Sequence, residues 1–287
     1  MTPPRSTEVN AFRRTLAAGL LTRYLVMAVM AVGTAMLLLP GQNARLGTIL
    51  LIAAGGAYAL FTWQALQIAR DAQLIPERIA QGGADEAEKL LTASLRKFTI
   101  YPAQRSAELF HLAQLRHVQG RHHDVAALAG AVAGGIAGLR APPGLQLEAR
   151  FLELDALLAS QRYQEAHRGL ITLMNHTLPW QHAARLLASR CQYEYEIGAD
   201  QHLLHDCMAK AELLGLLPGM AAAESWTRLA AAAKRSLSVD PGSSANAGLS
   251  ELLFARAVSL AGAPRLTARF PDLGPELLAV SRKLGLA

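Results

Sequence analysis

Charge is scarce in this chain. Asp, Glu, Lys and Arg make up 17% of its 287 residues, against roughly 25% in an average soluble protein. Apolar residues reach 52%, so part of the chain is expected to face lipid. Cysteine is nearly absent, with only Cys191 and Cys207. Two thiols build neither a disulfide framework nor a paired-cysteine zinc module. In a cytoplasmic domain they stay reduced, and outside the cell they permit one disulfide at most. Runs of β-branched residues and apolar/polar alternation are missing, which argues against a sheet. A phosphate-binding glycine loop, a nucleophile elbow and an HExxH pair are missing too. The chain is therefore not expected to be an enzyme, and no cofactor is implied. Aromatics amount to 6%. They are not interleaved with a Lys/Arg stripe, which excludes a nucleic-acid footprint.

Leu46 to Ile68 contains no charged residue over 23 positions. As a helix it reaches ~35 Å, enough to cross a hydrocarbon core of ~30 Å. Tyr24 to Ala44 is also uncharged, and its apolar part ends at Leu39. These runs predict a cytoplasmic segment over 1–19, transmembrane helices over 20–39 and 46–68, and an external turn over 40–45. Pro40 and Gly41 stop the first helix, and Gln42 and Asn43 suit a turn. So short a link makes the helices an antiparallel hairpin. Ala31 and Ala35 on the first helix, and Ala53, Ala57, Gly55 and Ala59 on the second, are spaced by four. They are the expected points of close approach.

Arginine placement sets the orientation. Residues 1–68 carry five arginines against one glutamate, +4, and residues 69–287 carry 23 basic against 21 acidic residues, +2. The excess precedes or opens the first helix, at Arg5, Arg13, Arg14 and Arg23, and follows the second, at Arg70 and Arg78. The turn holds Arg45 alone. Positive residues favour the cytoplasmic side, so both ends are expected there. Arg13, Arg14, Arg23, Tyr24, Trp63 and Arg70 are the expected membrane-interface residues, with Phe61 beside them. The alternative reads "FRRTLAAGLL", Phe12 to Leu21, as a twin-arginine export signal that sends the remainder to the periplasm. Against it, a second complete span follows and Arg23 interrupts the apolar run. The 23 arginines to 5 lysines point to a GC-rich bacterial genome, hence a bacterial inner membrane.

Beyond the apolar runs, helical spacing recurs, as in Leu109, Leu112, Leu115 and Val118, or Phe151, Leu154, Leu157 and Leu158. Turn signals recur at Gly82, Gly120, Gln161 and Gly198, spaced by 38, 41 and 37 residues. A helix precedes each marker and another follows it, the pattern of stacked helical hairpins. The segment Leu152 to Met174 resembles a tetratricopeptide repeat, with Tyr163 and Ala166 at the family's aromatic and small positions and Leu170 and Leu173 after them. Leu112 to Val132 is similar, with Ala113 at the small site and Gly120 in the turn, although Val125 and His122 replace the expected alanine and aromatic. Ala87 matches in a third unit. The period exceeds the family's 34 residues. The expected fold is all-α: a two-helix transmembrane hairpin, a tetratricopeptide-like α-solenoid over 69–238, a loop over 239–248 and a helical cap over 249–287.

In tetratricopeptide domains the first helix of each pair lines a concave partner-binding surface. The resemblance assigns Phe110, Gln114, His117, Phe151, Asp155, Arg185, Gln192 and Tyr195 to that groove. The implied function is a membrane-anchored adaptor or scaffold that binds a protein partner at the lipid bilayer, with a homo-oligomer left open. Two other readings compete. One is a subunit or assembly factor of an envelope or transport complex, acting through the hairpin. The other is a metal protein or enzyme built on Cys191, His202, His205 and Cys207, or on His111, His117, His122, His123 and Asp124. The first set has zinc-type donors without a zinc-module spacing, and the second has no nucleophile.

Overall fold

A computed structural model describes residues 7–38, 43–81, 83–97, 99–135, 141–239 and 244–286. The described residues are helical throughout, with no strand among them. The chain forms two compact units, Met1–Ser160 and Gln161–Ala287.

The first unit begins with α1 (Thr7–Leu38) and α2 (Asn43–Ala80), followed by α3 (Ala84–Arg96), α4 (Pro102–Val118), α5 (His122–Gly134) and α6 (Pro143–Ala159). Two stretches, Ala17–Leu38 and Ala44–Ile79, are long and apolar enough to cross a membrane. Both helices overrun the boundaries read from the sequence. α1 already starts inside the segment 1–19. The residues Asn43–Arg45, read as part of the turn, open α2, while Pro40, Gly41 and Gln42 lie outside the described residues. α2 does not stop at residue 68. Arg70 points outward, and Ala65, Ile68, Ala72 and Ile75 continue a buried stripe against α3 and α4. That stripe holds the helix together through Pro76, which lacks the amide its turn would use.

The two long helices pack through a seven-residue repeat. Gly19, Val26 and Gly33 are buried on α1, and Gly47, Ala54, Ile68 and Ile75 on α2. Seven is close to two helical turns, so these positions form one seam. At its tightest point, a Cβ on Gly47 would lie 2.7 Å from the Gly33 carbonyl oxygen. The expected contacts at Ala31, Ala35, Ala53 and Ala59 are exposed, and Gly55 has open space around it. Spacing by four marked a face of each helix other than the one that meets its partner.

An ion pair sits inside the first unit. Arg105 Nη1 lies 2.6 Å from Glu108 Oε2, with 4% and 0% of the two side chains exposed. Glu108 also accepts from the Ser94 hydroxyl, and Arg105 donates to the carbonyls of Ser94 and Lys97. The pair thereby staples α4 to the end of α3. Nearer the surface, Glu88 of α3 accepts from Arg116 at 2.9 Å and from Gln119 at 2.9 Å. The Gln119 amide, then the Arg116 guanidinium, hold its carboxyl below the usual range.

The second unit contains α7 (Tyr163–Met174), α8 (Trp180–Glu196), α9 (Asp200–Leu204), α10 (Cys207–Leu214), α11 (Gly219–Val239), α12 (Ser244–Ala261), α13 (Ala263–Arg269) and α14 (Gly274–Lys283). Its core joins Cys191, Leu203, Leu214, Leu229, Phe254, Val258 and Leu277. Helix α11 was not singled out in the sequence. Ala230 to Ala233 are all buried, so four successive positions of it face neighbouring helices. Of the loop expected over 239–248, Val239 ends α11 and Ser244–Gly248 open α12. Residues 240–243 lie outside the described residues.

The same short turn recurs along the chain. α4, α6 and α8 each have 17 residues, and each is followed by three residues and another helix. The middle residue is left-handed every time: Gly120 at φ 72°, Gln161 at 58° and Gly198 at 74°. Such a φ suits glycine and strains glutamine. The Arg121 amide donates to the Arg116 carbonyl at 2.9 Å, and the Ala199 amide to the Glu194 carbonyl at 2.8 Å. This six-residue closure satisfies helix-end carbonyls. The Gly83 amide makes the same bond to Arg78 at 2.9 Å, while the marker Gly82 lies outside the described residues.

Two stability predictions follow from these contacts. Glu108→Ala strands the Arg105 charge and should cost about 3–5 kcal/mol in denaturant unfolding, whereas the double change Arg105→Met, Glu108→Leu should cost far less. Glu88 contributes stability fully above the ordinary carboxylate pKa of 4.5, and that contribution fades as pH falls through its lowered value in the folded state. The difference in melting temperature between wild type and Glu88→Gln should therefore be larger at pH 7 than at pH 3.5.

Candidate functional site

The base of the helical hairpin is locked to the rest of its unit. Tyr101 precedes Pro102, which keeps it extended and starts α4. Its hydroxyl lies 3.0 Å from Thr62 Oγ1 and 3.3 Å from Tyr58 Oη, both on α2. Gln104 donates to the Ala65 carbonyl at 3.1 Å. On the other helix, a Cβ at Gly19 would meet the Thr99 carbonyl oxygen at 2.4 Å. Only glycine allows α1 to approach the α3–α4 link so closely. Arg23 is near enough to act electrostatically on Tyr58 and Tyr101.

Between α2 and α4 lies a groove of about 670 Å³. Ala65, Leu66, Ala69, Ala72, Ala103 and Ala107 make its walls, and Thr62, Gln73, Tyr101, Gln104 and His111 its polar points. It opens where α2 passes from its outward-facing apolar stretch into the packed core. Leu66 and Trp63, 56% and 63% exposed, extend the apolar surface beyond the groove. Such a lining accommodates an apolar chain and contains no acid–base pair.

The expected interface residues lie on these helices. Tyr24 and Trp63 are exposed, Arg14 and Arg70 point outward, and Arg23 is half-buried. Arg13 lies on α1, and its side chain is outside the described residues.

The expected groove residues are divided between the two units. Phe151 is fully buried and Phe110 nearly so, so both are core residues of the first unit. Gln114 pairs with His111 Nδ1 at 3.1 Å, and the His117 ring meets His122 edge-on at 5.6 Å. Asp155 is half-buried on α6. The other three belong to the second unit. Arg185 and Gln192 are half-buried, and Tyr195 is covered by the Arg235 guanidinium at 4.3 Å. Helical spacing alone did not separate an aromatic that packs from one that is displayed.

The histidine set lies on α4 and α5, and the cysteine–histidine set on α8, α9 and α10 with His205 in the link between the last two. Cys191 and Cys207 are free and buried in the second core. Burial pushes the Cys191 thiol up to about 12 and raises that of Cys207, which leaves both unreactive near neutral pH. His205 is exposed and lies 3.0 Å from the Asp206 carboxylate. Among the described residues, no three His, Cys, Asp or Glu side chains converge to hold a metal.

Missed by sequence reasoning is Glu194, which is buried beside a second groove between α7 and α8. A glutamate flanked by Tyr193 and Tyr195 reads as solvated until its face is known.

Comparison with protein-family models, curated proteins and solved structures gives no match.

The Gly19 contact makes one prediction. Gly19→Val forces the Thr99 backbone away and should cost about 1–3 kcal/mol, with faster amide hydrogen exchange at residues 99–101 than in wild type.

Proposed function

We propose that this chain is a membrane-anchored adaptor. Helices α1 and α2 cross the cytoplasmic membrane as a hairpin with both ends inside, and the following helices form tetratricopeptide-like hairpins that hold a protein partner near the bilayer. The observation that carries this reading is the outward display of apolar side chains on the two long helices. Leu21, Leu38 and Ile52 are 71%, 82% and 71% exposed, and Leu25, Val32, Leu46, Ile49 and Leu60 join them. A surface of that extent is disfavoured in water. In hydrocarbon it is satisfied, and the helical backbone bonds internally. The arginines flanking both helices support the orientation.

Three features support the repeat reading. The first helices are equal in length, their turns share a left-handed centre, and the small positions Ala87, Ala113 and Ala166 are fully buried. Anchoring the repeats at the bilayer would raise the local concentration of whatever they hold.

The groove between α2 and α4 favours a second reading, a subunit or assembly factor of an envelope complex. An apolar membrane helix of a neighbouring subunit would then continue the lipid-facing surface at Leu66.

Reporter fusions test the topology. A fluorescent protein fused after residue 287 should glow, and alkaline phosphatase inserted between residues 42 and 43 should be active. The chain should also stay in the membrane pellet after alkaline carbonate. Active phosphatase at the carboxyl end, or release by carbonate, overturns the proposal. Under the second reading, Leu66→Lys should free the chain from its complex without releasing it from the membrane.

A further inference from the structure

Where the hairpin leaves the helices at its base, a cation stands among hydroxyls. Gly33 and Gly47 meet in the seam, so one repeat nearer the base Val26 faces Ala54. Both are buried. Arg23 lies three residues from Val26, and Tyr58 four from Ala54. Each therefore shares the seam side of its helix, one turn nearer the base. The next turn of α1 brings Gly19 against Thr99, and Tyr101 follows two residues later. Arg23, Tyr58 and Tyr101 are thus gathered at one level from α1, α2 and the α3–α4 link, and the Arg23 charge reaches both phenols.

This cluster offers donors and holds no acid. Neither a hydrogen bond nor an ion pair joins half-buried Arg23 to another described residue. Thr62 donates to the Tyr58 carbonyl at 2.8 Å, and Tyr101 donates to Tyr58 Oη at 3.3 Å. The Tyr58 proton is then free to turn outward, and Tyr58 is 38% exposed. Lys97, exposed two residues before Thr99, adds positive charge to the same link. A guanidinium and a hydroxyl proton without an acceptor suit an anion, and a phosphate group takes both. The level indicates the source of that phosphate. Exposed Tyr24 and Trp63 flank it, as aromatic side chains do at a headgroup layer. From Arg23 to Leu38, α1 rises about 22 Å, most of a ~30 Å hydrocarbon core before the turn is counted. An unpaired cation at the edge of that core is costly, and a lipid phosphate is the nearest counter-ion.

We propose that Arg23 and Tyr58 bind the phosphate of an anionic phospholipid of the phosphatidylglycerol class, in the leaflet next to the base of the hairpin. The Arg23 guanidinium and the Tyr58 hydroxyl donate to its oxygens. A headgroup that carries an ammonium would set that cation against Arg23 and Lys97, so an uncharged glycerol headgroup is preferred. The site rests on the membrane reading of α1 and α2 and adds to it a lipid that is held where the hairpin joins α4.

The test uses the full chain, labelled at its arginine side-chain nitrogens, in phosphatidylcholine nanodiscs with increasing phosphatidylglycerol. The Arg23 Nε–H signal should shift saturably. In native mass spectrometry from mixed lipid–detergent micelles, the chain should retain phosphatidylglycerol over phosphatidylcholine. Arg23→Gln should lower that retention about tenfold, and Tyr58→Phe by less. Circular dichroism in phosphatidylcholine checks that the variants fold, and the wild-type titration decides the matter without them. Soluble glycerophosphoglycerol, the same headgroup without its tails, should leave the Arg23 signal unmoved at matching concentration. No saturable shift, equal retention of the two lipids, or full retention in Arg23→Gln overturns the proposal. Saturation by the soluble headgroup overturns the lipid as the source. The topology reporters score the membrane reading separately: a chain that stays in the carbonate pellet yet ignores phosphatidylglycerol loses this site alone.

Discussion

A single uninterrupted backbone, α2, has to satisfy two surroundings. Over its first half, side chains such as Ile49, Ile52 and Leu60 face outward, and over its second half Ile68 and Ile75 are fully buried against α3 and α4. One seam runs through both halves because Gly47, Ala54, Ile68 and Ile75 stand at multiples of seven. The first half of that seam receives α1, and the second receives the helical domain. Loss of the seam would separate the hairpin from its base. Tyr101, Gln104 and Gly19 act at the changeover, where the neighbours of α2 exchange.

The rest of the architecture repeats one local solution. A 17-residue helix is followed by three residues with a left-handed one at their centre, and then by a second helix. Alanines at the contact positions let the helices approach closely, so burial comes from many small contacts rather than from large aromatics. Specificity then falls to polar staples. The buried Arg105–Glu108 pair fixes how α3 meets α4, and the Arg235–Tyr195–Asp200 contacts fasten α11 to α8 and α9.

Much of this was legible in the sequence. The two apolar runs stood out because charge vanishes from them, and the helical class followed from spacing and composition. Gly120 and Gly198 marked turns because a left-handed residue selects glycine strongly. Gln161 was found only through the period. Boundaries were less legible. Arg70 suggested the end of a span, yet a helix can carry charge on one side while Ile68, Ala72 and Ile75 hold the other. The contact face of the hairpin was missed because small residues abound, and nothing in their identity distinguishes spacing by four from spacing by seven. Of the site residues, the aromatics Phe110 and Phe151 look alike in sequence whether displayed or packed. Glu194 was invisible for the converse reason, since burial of a glutamate depends on which neighbour covers its face.

The continuity of α2 has a mechanical consequence. Its 38 residues make a rod of about 57 Å, stiffened at midpoint by Tyr101 and Gln104 instead of being jointed there. Torque applied near Asn43 therefore travels to Ile75 with little lost to bending. The first unit's helices should answer a twist of the end near Asn43 as a shaft answers its crank.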